Sequence, residues 1–318
     1  MDERHTRPPR NGGLNRRQFL KASAGAAALG AMGPVPLWAA SDTLIRRPIP
    51  ASGEQIPVIG LGTARTFNVD DSDAEAMAPL RGVMKAFYEG GGRMVDSSPM
   101  YGNSETVVGV LARDLGIADE LFMATKVWTD GAQAGVEQMQ RSRERMGGGR
   151  LELIQVHNLR DLRTQLDTLK RWRDEGKVRY IGVTHSRNSA HGDLKRVVER
   201  EPLDFVQLNY NIAARNAERR LLPAAANQGV AVIVNEPFES GRLFSAVRGQ
   251  SLPDWARDAG AQSWAQYFLK YIVSHPAVTC AIPATSDPEH SRDNIGACHG
   301  VLPDSAQRRR MVEYFEGL

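Results

Sequence analysis

Four residues of this chain are of types that together can move a proton: Asp96, Tyr101, Lys126 and His157. Asp96 ends the short apolar run RMVDS, and Tyr101 lies in the loop SSPMYGNSE that follows it. Lys126 falls late in LFMATKVW, and His157 late in LELIQVHNL. A phenol with a pKa of about 10 is a poor acid at neutral pH. An ammonium beside a phenol favours the phenolate and improves it as an acid. A carboxylate can hold that ammonium charged and oriented, and an imidazole can donate a hydrogen bond to a carbonyl oxygen. The set suits protonation of a developing alkoxide, for which the complementary reactant is a hydride donor. No Cys or His pair has metal-ligand spacing, and no nucleophile elbow supports Ser-His-Asp hydrolysis.

Such residues work together only if the chain gathers the strand ends that carry them. Eight short apolar runs read as strands: 57–64, 93–97, 121–128, 151–159, 178–184, 205–209, 230–234 and 278–283. Between and after them, apolar residues at helical spacing predict helices over 74–89, 103–115, 136–146, 164–175, 194–201, 217–228, 263–274, 287–296 and 304–316. Residues 44–49 and 55–58 flank a turn and read as an N-terminal β-hairpin closing the barrel bottom. Residues 239–260 have little periodicity and are expected as a long loop. Near-continuous apolar strands alternating with helices imply a parallel sheet covered on its outer face. Eight such units argue for an α/β fold of the (β/α)8 TIM-barrel type in a single domain. Gly60 opens GLGT, which lacks the later glycine and the following helix of a dinucleotide fingerprint, so an open doubly wound sheet is the weaker reading.

The chain has 318 residues and a formal net charge of +3. The first 40 residues hold six Arg and Lys against Asp2 and Glu3, a balance of +4, which leaves −1 for the rest. The basic character belongs to the N-terminus and makes no case for a nucleic-acid partner. Cys280 and Cys298 read as buried free thiols, with a disulfide between them the alternative in an oxidising compartment. The run 308–310 (RRR) reads as a solvated helix face. Arg16, Arg17, Phe19, Leu20 and Lys21, followed by an Ala/Gly-rich apolar run, resemble a twin-arginine (Tat) signal peptide. The expected organisation is therefore a leader over 1–40 and a barrel over 41–318. That resemblance implies the Tat export machinery as a partner and the periplasm as the destination; an uncleaved leader would be a membrane anchor.

The tetrad, with YGNSE (101–105) and TKVW (125–128), makes the chain resemble an aldo/keto reductase from about residue 55 to about residue 298. The resemblance implies a barrel that reduces an aldehyde or ketone with a nicotinamide cofactor and acts as a monomer. It gives Tyr101 the role of acid, Lys126 that of tuning it, Asp96 that of pairing the lysine and His157 that of orienting the carbonyl. Gly60 and Thr63 fall on the first strand and loop of its cofactor site. Thr184, His185 and Gln207 fall where the nicotinamide amide is held, and Asn235 where a stacking Tyr often stands. Thr285, Ser286, His290 and Asn294 fall on the adenosine-phosphate segment. Trp128 and His157 are expected to line the substrate pocket. NADP(H) is the expected cofactor. NAD(H) is the alternative, because Ala284, Ser286 and His290 replace cations common in NADPH-using members. A different class of function is an exported cofactor-binding or regulatory barrel with little or no turnover, motivated by the altered stacking position and the lack of a free NADPH pool in the periplasm.

Overall fold

A computed structural model of the protein describes residues 44–318, so the twin-arginine leader lies outside the described residues. Two short strands, β1 (Arg46–Pro48) and β2 (Gln55–Pro57), pair antiparallel as the expected hairpin. Eight parallel strands then follow in order: β3 (Leu61–Gly62), β4 (Met94–Asp96), β5 (Phe122–Val127), β6 (Leu151–His157), β7 (Val178–His185), β8 (Phe205–Asn209), β9 (Ala231–Asn235) and β10 (Cys280–Ala281). Each is hydrogen-bonded to its sequence neighbour. Bridges from Ile59 to Ala281 and from Gly62 to Ala284 join the first strand to the last and close the barrel. A Cβ on Gly62 would lie 2.7 Å from the Ile282 carbonyl oxygen, so this seam requires a residue without one.

Between the strands run α1 (Ala74–Glu89), α2 (Ser104–Asp114), α3 (Ala132–Arg145), α4 (Leu162–Asp174), α5 (His191–Arg200) and α6 (Leu221–Gln228). Beyond β9 come the short α7 (Arg242–Ala246) and α8 (Trp264–Val273), and beyond β10 come α9 (Pro288–Gly296) and α10 (Ser305–Glu316). The expected loop over 239–260 is therefore partly helical. A five-residue helix is too short to show a period in sequence.

The side-chain period of two divides each strand between two cores. Outward residues such as Val95, Val127, Ile154, Val156, Val183, Val206 and Val232 pack with the helices. Inward residues at the strand starts, Met94, Phe122, Leu153, Tyr180, Phe205 and Ala231, form a second cluster with Ile49 and Ile56 of the hairpin region. Both isoleucines are almost fully buried, and the hairpin thus closes the N-terminal end of the barrel. Burial of each contributes roughly 1.5–3 kcal/mol. Along the same inward faces the residues turn polar toward the strand ends. The runs Phe122-Ala124-Lys126, Leu153-Gln155-His157, Phe205-Gln207-Asn209 and Ala231-Ile233-Asn235 each pass from apolar floor to polar mouth.

Arg308 corrects the reading of 308–310 as a solvated face. Its guanidinium is largely buried, donating to Tyr210 Oη at 2.7 Å, Glu218 Oε1 at 3.0 Å, Ser274 Oγ at 2.8 Å and the Tyr271 carbonyl. It also lies 4.2 Å from the Tyr271 ring centroid, while Arg310 lies over Trp255. Arg308 thus fastens α10 to the barrel. Arg308→Ala is expected to cost about 2–3 kcal/mol and to lower the thermal midpoint without altering turnover per folded molecule. An unchanged midpoint in a melting scan would remove that role. Cys280 and Cys298 are both buried and free.

Candidate active site

The mouth of the barrel is built around a buried ion pair. Lys126, fully buried on β5, donates from Nζ to Asp96 Oδ1 at 2.5 Å and to the Ser97 carbonyl at 2.7 Å. The other oxygen of Asp96 accepts Gln155 Nε2 at 3.1 Å and Gln207 Nε2 at 3.0 Å. One carboxylate thus gathers donors from β5, β6 and β8. Thr63 ties in the first strand, donating from Oγ1 to the Asp96 carbonyl and to Ser97 Oγ, each at 3.0 Å.

Tyr101 reaches this pair from the loop after β4. Lys126 Nζ lies 4.9 Å from its ring centroid, and the His157 ring meets it edge-on at 5.9 Å and 88°. Burial opposes the Lys126 charge, but the Asp96 carboxylate and the Tyr101 phenol more than offset it, and the lysine pKa is raised. His157 is pushed the other way. Burial, the Lys126 charge and His185 lower its pKa to about 3, so the imidazole is neutral at physiological pH. A charged ammonium beside a phenol, and a neutral imidazole beside both, can protonate an oxyanion and orient its precursor carbonyl.

The motif around Tyr101 is a positioning device. Gly102 turns with φ +64°, and Asn103 fixes the neighbouring loop through Val69 O at 2.9 Å and Asp71 Oδ1 at 2.8 Å. Ser104 Oγ donates to the Tyr101 carbonyl at 2.8 Å. Glu105, buried on α2, accepts Thr125 Oγ1 at 2.6 Å and faces Arg145 at 3.5 Å. YGNSE and TKVW are therefore tied together by Glu105 and Thr125, the residue that precedes Lys126.

Across the mouth, Thr184 Oγ1 donates to Gln207 Oε1 at 3.1 Å and Asn235 Nδ2 donates to the same oxygen at 3.2 Å. A hydrogen-bonded chain thus runs from Asp96 through Gln207 to Asn235. It ends on Asn235 Oδ1, which is buried and has no partner among the described residues. His185, at the end of β7, accepts the Arg187 amide at Nδ1. Farther out, Thr285 is buried and accepts Asp287 N at 3.0 Å, Asn294 is buried on α9, and Ser286 and His290 are exposed. Trp128 stands at the rim, with the Arg160 guanidinium 4.8 Å over its ring and Asp130 holding Arg160 at 2.6 and 3.0 Å. Gly60 is set apart from these residues. The β3–β4 register places it level with Met94 in the floor layer, where a Cβ would lie 2.9 Å from the Met94 carbonyl oxygen.

Left-handed backbone at residues other than glycine clusters on two mouth loops: Asn158, Leu159 and Asp161 after His157, and Glu236, Glu239 and Ser240 after Asn235. Such conformations cost about 1–3 kcal/mol each and gather at functional sites.

The model of the aldo/keto reductase family matches residues 58–310. The chain belongs to the aldo/keto reductase family. A twin-arginine translocation signal sequence matches residues 13–33. Aldo-keto reductase str7 of Strobilurus tenacellus is 26% identical over 80% of this chain and 86% of the relative. Glyoxal reductase of Bacillus subtilis is 25% identical over 72% and 79%. Among solved structures, an aldo/keto reductase from Klebsiella pneumoniae in complex with NADP and acetate superposes with a TM-score of 0.70 at 24% identity, covering 83% of this chain and 93% of that one. An aldo-keto reductase from Klebsiella pneumoniae in complex with NADPH superposes with a TM-score of 0.69 at 25% identity, covering 83% and 92%.

Two residues of this aldo/keto reductase's mouth went unread in sequence. Gln155 carried a signal: it stands two residues before His157, on the same strand face, in an otherwise apolar run. Ser98, whose Oγ lies 3.0 Å from His157 Nδ1, carried none, because a serine before Pro99 reads as a turn.

Proposed function

We propose that this aldo/keto reductase is an exported, NADP(H)-dependent oxidoreductase that reduces an aldehyde or ketone to an alcohol, with Tyr101 as general acid. The observation that carries the reading is the buried Lys126 ammonium between Asp96 Oδ1, at 2.5 Å, and the Tyr101 ring, at 4.9 Å. No other pair at the mouth joins a buried charge to a phenol among the described residues. Asp96 holds Lys126 charged and beside the Tyr101 ring, and Tyr101 gives its proton to the carbonyl oxygen. His157 directs that oxygen.

The residues across the mouth fit a nicotinamide cofactor. The unpartnered Asn235 Oδ1 is a buried acceptor at the end of the Gln207 chain, and a primary carboxamide supplies the N–H it lacks. Gln207, Thr184 and His185 would hold the same group, and Thr285, Ser286, His290 and Asn294 the adenosine phosphate end. The nicotinamide, when bound, supplies the hydride. Arg292 is already paired with Glu289, and the exposed His290 stands 3.9 Å from Asp287, so hydroxyl and amide donors of this segment would hold a 2′-phosphate. NADP(H) is supported by the NADPH complex of the Klebsiella pneumoniae relative. The leader supports delivery of the folded barrel to the periplasm by the Tat machinery.

Titration with NADPH and with NADH, followed by nicotinamide fluorescence, tests the cofactor half alone. Saturable binding of both is expected, with NADPH tighter by about tenfold or less, since charge-assisted contacts are few. Asn235→Leu should weaken both equally. Failure of NADPH to bind would sink the reading.

A further inference from the structure

We propose that Ser98 is a positioning residue that fixes the tautomer of His157, leaving Nε2–H as the donor presented to the reacting carbonyl. The inference rests on the carbonyl-reductase reading for its last step, and on local geometry for the rest.

Ser98 is fully buried. Its Oγ lies 3.2 Å from the Met100 amide, which can only donate, and 3.0 Å from His157 Nδ1. The hydroxyl oxygen therefore accepts from Met100. Its one hydrogen has a single acceptor within reach among the described residues, His157 Nδ1. The opposite tautomer would place N–H on Nδ1, strand the buried hydroxyl hydrogen and turn a bare Nε2 lone pair toward the mouth. A lone pair there repels a carbonyl oxygen. Burial and the Lys126 charge keep the ring neutral, so it carries a single N–H and the choice between nitrogens is complete. His157 Nε2 has no protein partner among the described residues and is left for a ligand. Ser98 also binds the backbone one residue before Tyr101, so one hydroxyl sets both the imidazole and the loop carrying the phenol.

The imidazole ¹⁵N resonances of the purified protein decide the matter, with His157→Gln identifying the His157 signals. The expected spectrum shows a protonated, pyrrole-like Nε2 and a pyridine-like Nδ1. A protonated Nδ1 in the unsubstituted protein overturns the proposal, whatever the variants do. In Ser98→Ala the two forms should mix, and kcat with NADPH and methylglyoxal, used as a small carbonyl probe, should fall about tenfold at unchanged NADPH affinity, the scale of one lost buried hydrogen bond. Ser98→Thr should restore the single tautomer. An unmixed tautomer in a folded Ser98→Ala protein also overturns it. A mixed tautomer with undiminished turnover upholds the role of Ser98 and counts instead against His157 in the reduction, so the two failures are distinguishable.

Discussion

Replacement of Tyr101 by Phe is expected to lower kcat for NADPH-dependent carbonyl reduction, assayed with methylglyoxal as a probe, by about 10³-fold, within the range removed with a general acid, while NADPH still binds with near-unchanged affinity. The change is confined to one hydroxyl. The ring that lies over Lys126 Nζ and meets His157 edge-on is retained, so packing at the mouth persists. Asp96 keeps its lysine and both glutamine donors, and the Gln207–Asn235 chain is untouched. A loss of turnover therefore reports the missing proton and little else, and stability should change by under about 0.5 kcal/mol. NADPH oxidation in the steady state gives the rate, and fluorescence titration gives the affinity. Wild-type turnover in this variant would remove Tyr101 from the chemistry. Lost NADPH binding would instead mean that the phenol serves the cofactor.

The parts of this site that could be read from the sequence are those the strand pattern carries. Lys126 and His157 each sit at the polar end of an inward-facing series, and period-two reading places Gln155 with them. Strand ends in a parallel barrel converge, so residues 30 to 111 positions apart could be expected to meet, as Lys126 and Gln207 do at Asp96. Residues whose roles depend on particular contacts made only in the fold were not legible. Arg308 has the composition of a solvent face, and only the fold brings it to Tyr210 and Glu218, 98 and 90 positions away. Glu105 has no evident role in YGNSE, and only the fold makes it the buried partner of Thr125. Gly60 opens GLGT, and only the fold shows that a Cβ there would lie 2.9 Å from the Met94 carbonyl oxygen, so that it keeps the barrel wall tight near its floor. In each case the residue type is compatible with two roles, and the deciding quantity is a distance.

Lys126→Met should separate what the ion pair does for the fold from what it does for the reaction. Lys126 is wholly buried and Asp96 nearly so. Removing the ammonium leaves a buried carboxylate with only the Gln155 and Gln207 amides, and the loss of one partner of such a pair costs about 3–5 kcal/mol. The Ser97 carbonyl also loses its donor. Turnover per folded molecule should fall by about 10²-fold or more, because the proton-donating set loses the buried ammonium beside the Tyr101 ring. The double variant Asp96→Asn/Lys126→Met removes both charges and keeps the volume filled. Replacing a buried ion pair by neutral groups is often close to neutral for stability, so its thermal midpoint should recover most of the loss while its turnover stays as low as that of Lys126→Met. Melting scans and NADPH oxidation on the three proteins check this. A single variant as stable as the wild type would mean that Asp96 does not depend on the lysine for its burial. A double variant that reduces methylglyoxal at the wild-type rate would mean that the phenol needs no neighbouring charge, and the acid would have to be sought elsewhere at the mouth.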